Sequence, residues 1–141
     1  MRFGNIKGAT GTPTSGYVPI ASSTAGAWSW NPQGITPRIQ TVTSAATVTP
    51  NWDTDDEVVI TAQAVGLTIA NPTGTTPAQG RKLIIRIKDN ATAQTISFGT
   101  GYRAIGLTAP ISTVSSKNLY IGIIYNSTDS KLDIVSTAQE T

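Results

Sequence analysis

Residues 81–89 read RKLIIRIKD, and the spacing within them decides the fold class. Leu83, Ile85 and Ile87 fall on every second position, with Lys82, Arg86 and Lys88 between them. That period of two places successive side chains on opposite faces of a strand, whereas a helix needs apolar residues three and four apart. Asp89-Asn90 then reads as a turn into ATAQTISF, in which Ile96 and Phe98 face the core. Two such runs across a short polar turn predict a hairpin.

The same period recurs on both sides. Val58, Ile60 and Ala62 share one face of a strand, and Glu57, Val59 and Thr61 the other. Leu67 and Ile69 follow Gly66, and Asn71 to Gly80, carrying Pro72, Gly74 and Pro77, reads as a surface loop. Bends at Gly99 to Gly101 and at Gly106 bracket YRAI. In NLYIGIIYN, residues 118–126, the residues Leu119, Ile121, Ile123 and Tyr125 line one face. A polar turn at Asn126 to Ser130 leads into KLDIVS, with Leu132 and Ile134 inward. Short strands at this spacing, with no helical period and no internal repeat, predict an all-β module over residues 38–141. An antiparallel β-sandwich or a jelly-roll-like arrangement is expected.

Residues 1–37 are written differently. Gly, Ser, Thr, Pro and Ala dominate, with Tyr17, Val18, Ile20, Trp28 and Trp30 set far apart. Pro13, Pro19 and Pro32 interrupt any helix, and no alternation lasts long enough for an ordinary strand, so this segment is expected to be an extended N-terminal arm. Exposed tryptophan is costly. Either the arm's aromatics fold back on their own module, or they anchor the arm across a neighbouring subunit as interface residues; the second reading is preferred.

Composition excludes much chemistry. The 141 residues hold one domain and an appendage, 38% of them hydrophobic and 13% charged, with a formal net charge of +2. Without cysteine or histidine there is no disulfide, no thiol nucleophile, and neither the commonest general base nor the commonest transition-metal ligand. Arg81, Lys82, Arg86 and Lys88 are the basic cluster, and a solvated strand face accounts for them better than a nucleic-acid footprint. Behind MRFGNIKGATG there is no apolar segment of a secretory signal, and no run nears the roughly 18 apolar residues that span a bilayer. No membrane partner is expected, and synthesis in a cytosol is the simplest history.

The acidic cluster WDTDDE, with Asp53, Asp55, Asp56 and Glu57, invites reading as a calcium loop. Its spacing differs from an EF-hand, and Asp at a strand start is ordinary turn chemistry. Adjacent carboxylates on one turn do not flank a sugar as a glycosidase requires. The serines have no histidine partner, and Gly99-Thr100-Gly101 lacks the rest of a phosphate-binding fingerprint. No cofactor, metal or catalytic residue is expected. Tyr120 alternates to the outside and is a possible exposed contact.

The pieces SAATVTPNWDTDD, KLIIRIKDNATAQTISF and YRAIG, within Pro37 to about Gln139, resemble a β-module of tailed-bacteriophage structural proteins. The arm's GTPTSGYVPIASSTAGAWSW is similar to "G-x-P-x-x-G-x-V-P" segments that join parts of phage tail and fibre proteins. The resemblance implies a non-enzymatic virion protein, usually a homotrimer, made in the host cytoplasm. One position is a capsid decoration, or cement, protein on the head surface, its arm clamping the major capsid protein and neighbouring virion subunits. The alternative is a tail or head fibre module that binds a host surface glycan, with Tyr120 and the loops at Asn71 to Gly80 and Tyr102 to Pro110 as contacts. A short chain from Met1, with no fibrous shaft, heptads or collagen-like repeat, favours the head.

Overall fold

The computed structural model describes residues 17–21, 28–32 and 36–141. The chain divides into two units, Met1–Thr36 and Pro37–Thr141. In the first, β1 (Tyr17–Ala21) and β2 (Trp28–Pro32) form a two-stranded antiparallel ribbon, with Pro19 opposite Trp30 and Ala21 opposite Trp28. Strand pairing was not expected in this segment. Both strands of a two-stranded ribbon are edges, where proline is tolerated because its missing N–H faces away from the ladder. Tyr17, Val18, Ile20, Trp28 and Trp30 fall on these strands, and the surroundings of their side chains lie outside the described residues.

The second unit is all-β among the described residues. A six-stranded sheet has the order β3 (Ile39–Val42), β5 (Glu57–Gln63), β7 (Lys82–Asp89), β10 (Asn118–Asn126), β11 (Lys131–Gln139), β9 (Tyr102–Ala104). A three-stranded sheet has the order β4 (Thr47–Val48), β6 (Leu67–Ile69), β8 (Ile96–Phe98). From β3 to β8 the chain alternates between the two sheets. Each return to a sheet is parallel: β3, β5 and β7 in the larger, β4, β6 and β8 in the smaller. The result is three stacked coils, closed by the antiparallel strands β10 and β11.

This corrects the expectation of antiparallel pairing throughout. Parallel neighbours need a long crossover, and each crossover here passes through a strand of the other sheet. The hairpin expected at Asp89-Asn90 is likewise absent: β8 pairs with β6, not with β7. Residues 90–95 carry the chain from one sheet to the other, and the Asp89 carboxylate accepts hydrogen bonds from Ala91 N at 3.0 Å, Ser116 N at 2.8 Å and Thr113 Oγ1 at 2.7 Å.

One core serves both sheets. Val58, Ile60, Leu83, Ile85, Ile87, Leu119, Ile121, Ile123, Leu132 and Ile134 from the larger meet Val48, Leu67, Ile69 and Ile96 from the smaller. Alternation identified most of these positions. It failed at the end of β5, where the register shifts between Ile60 and Gln63. Fully buried there is Gln63, with Ala62 only half-buried. The Gln63 amide donates to the carbonyls of Ala45 (2.6 Å) and Val65 (2.7 Å) and accepts from Ala45 N (3.2 Å). In register beside it lies buried Asp89, so two polar side chains satisfy the turning backbone at this end of the coils, as burial requires.

Candidate interaction surface

The outward face of the larger sheet is assembled by register. One row runs Thr41, Val59, Arg86, Tyr120, Ala138, and the next Ile39, Glu57, Ile84, Gly122, Ser136. Ile39, Ile84 and Tyr120 are 53%, 40% and 43% exposed, and Val135, passed over where β10 and β11 shift register, is 42% exposed. These apolar groups stand among Lys82, Arg86 and Lys88. Grouped apolar side chains bounded by charge mark interaction surfaces more often than scattered ones do. Gly122 sits close under Ser136: a Cβ on it would meet Ser136 Oγ across the strand pair unless that hydroxyl rotated away. The expected basic strand face is present, with Lys82 and Lys88 exposed. Ile84 went unremarked in the sequence although its parity with Lys82 and Arg86 already placed it outside.

The two rims of this sheet differ. At β9, Arg103 donates from Nε to Asp133 Oδ1 and from Nη2 to Asp129 Oδ2, both at 2.9 Å. These hydrogen bonds hold the guanidinium's pKa above its ordinary value and the Asp133 carboxyl below its own. Charges so placed blunt a sheet edge. At β3 the charged contacts lie at the start: Arg38 donates to Asp56 from its backbone N (2.9 Å), Nε and Nη2 (both 3.0 Å), and Arg81 reaches the same carboxylate. Arg38 thereby holds the Asp56 carboxyl well below the usual carboxylate range. Farther along, Ile39 and Thr41 are exposed on the outer side of a strand paired only with β5 among the described residues.

The acidic cluster is turn chemistry. Asp55 accepts from Asn51 N (2.7 Å) and Thr54 Oγ1 (2.8 Å), and Asp53 accepts from Thr75 N (3.0 Å). Among the described residues no group of three acidic side chains is placed to hold a metal ion.

At the end of the coils where loops 49–56, 70–81, 99–101 and 127–130 meet, a cleft of about 200 Å³ is lined by Trp52, Asn71, Thr76, Tyr125 and Ser130, among others. Trp52 and Tyr125 meet edge to face, ring centroids 5.9 Å apart. Gly99 and Gly101 press on Asn71: Gly101 N donates to Asn71 Oδ1 at 2.9 Å, and a Cβ on Gly99 would sit 2.8 Å from the Asn71 backbone N. Tyr120 does not line this cleft. Tyr102, expected in a contact loop, is instead in β9, its hydroxyl donating to Ala70 O (3.2 Å) and its pKa raised by burial. Tyr120 therefore stands apart from the cleft that the Asn71 to Gly80 loop lines.

No family model, no curated protein and no solved structure matches this chain.

Proposed function

We propose that this chain is a non-enzymatic structural protein of a tailed-bacteriophage virion, acting as a head decoration protein that bridges capsid subunits. The observation that carries the reading is the outward sheet face, where Ile39, Ile84 and Tyr120 stand exposed. A sandwich-like pairing of the two sheets around one core gives that face a rigid backing. The arm, bearing Tyr17, Val18, Ile20, Trp28 and Trp30, supplies the second contact, across the major capsid protein or a neighbouring copy in a homotrimer. Stabilisation is by multivalency: opening the shell requires several interfaces to part together, and a linked second contact forms at high effective concentration.

The test is the double substitution Trp28→Ala, Trp30→Ala, with trimerisation followed by sedimentation and capsid attachment by co-sedimentation with heads. The reading expects assembly to weaken while the far-ultraviolet circular dichroism and melting of the β-module persist. Unfolding of the double variant as a monomer would assign the aromatics to the protein's own core and end the clamp reading. A fibre module is the second reading, favoured by the loop cleft beside Trp52 and Tyr125.

A further inference from the structure

We infer that the cleft at the loop end of the coils is a binding site for a single neutral sugar ring. The lining residues named above carry no formal charge, which disfavours phosphates, carboxylates and amines. It combines an apolar floor, Trp52 and Tyr125, with several neutral hydrogen-bonding groups, the composition of a small-molecule site in which a few polar groups fix orientation. Aromatic carbon against sugar C–H, with hydroxyls answered by neutral donors and acceptors, is the chemistry that fits.

Three observations separate a built site from an accidental dent. First, the cleft gathers polar groups that make no hydrogen bond to one another or to any other described residue: the Trp52 indole N–H, the Tyr125, Thr76 and Ser130 hydroxyls and Asn71 Nδ2. Trp52 and Tyr125 are only 9% and 8% exposed, and what each exposes lines the cleft. Second, Asn71 is fixed. Its Oδ1 is held by Gly101 N and glycine at 99 lets the chain close on it, so the amide's donor end is preorganised. Third, Ser130 occupies the left-handed region, φ 53°, in a hairpin turn where glycine is the easier residue. That turn places the Ser130 hydroxyl at the cleft.

The inference stands on the cleft alone and applies on a head surface as on a fibre. The experiment is saturation-transfer difference NMR on the full chain with glucose, galactose, mannose, N-acetylglucosamine and rhamnose, one at a time. At least one sugar is expected to bind in the millimolar range. Tyr125→Phe, which keeps the ring and loses the hydroxyl, and Thr76→Ala should each weaken it roughly three- to tenfold, the value of one hydrogen bond. Ser130→Gly separates function from folding: binding weakens while the melting temperature rises, because the turn is relaxed. Absence of saturation transfer for every sugar at millimolar concentration overturns the inference. So does binding unchanged in both Tyr125→Phe and Ser130→Gly, which would put the sugar elsewhere.

Discussion

Replacing Asp89 by alanine should cost more than any surface change in the module, for reasons countable from its partners. Asp89 is 3% exposed and accepts from Ala91 N, Ser116 N and Thr113 Oγ1. Thr113 Oγ1 in turn accepts from Gln94 N at 2.8 Å, so one carboxylate organises both loops at that end of the coils. Each buried donor left without an acceptor costs about 1–3 kcal/mol, less where water can enter, and the three together should cost about 3–4 kcal/mol. Asparagine keeps one acceptor but turns an N–H₂ toward Thr113, and should cost about 1–2 kcal/mol. With an unfolding entropy of about 0.2 kcal/mol per kelvin for a unit of this size, the alanine variant should melt roughly 10–20 °C lower. Urea denaturation followed by far-ultraviolet circular dichroism measures the free energy directly. An alanine variant within about 1 kcal/mol of the parent would refute the claim that this carboxylate holds the loops.

Stability should also fall with acid. Burial pushes Asp89 up, but the hydrogen bonds from Thr113, Ser116 and Ala91 outweigh it, and its pKa lies below the ordinary value; hydrogen bonds from Arg38 and Arg103 lower Asp56 and Asp133. Depressed folded values mean that the unfolded chain binds more protons as pH drops. The contribution is complete above about pH 5 and lost progressively below about pH 4, and a melting temperature flat from pH 6 to about 3 would contradict it. Ile85→Ala, in the centre of β7 and fully buried, should cost about 2–5 kcal/mol in the same urea assay. Gly99→Ala should cost about 1–3 kcal/mol, because the added Cβ meets the Asn71 backbone N as well as its side chain, and the backbone cannot rotate away.

The strands were legible and their partners were not. In β7, β10 and β11 the inward residues follow from parity, since one buried and one open face leave a period-two record. Which strand lies beside which leaves no such record. The coils differ in length: Ile39 pairs with Glu57, and Glu57 with Ile84, a rise of 18 residues and then of 27. Unequal coils show no repeat in the sequence, so the winding stayed hidden and an antiparallel sandwich was the default. Gln63 was missed because the shift before it breaks parity. Nothing local marked Asp89 as more than a turn residue, since two of its donors come from residues 113 and 116. The exposure of Tyr120 followed from alternation. The cleft did not, because Trp52, Asn71 and the Tyr125–Ser130 hairpin belong to three segments far apart in the chain that only the fold brings together.

Immunogold electron microscopy of virions carrying this protein, with an antibody against residues 38–136, tests the assembly role most directly. Label spread evenly over the head is the predicted result. Label confined to the tail or to projecting fibres contradicts the decoration role, and particles that stay unlabelled while the antibody recognises the free protein contradict a place on the virion surface.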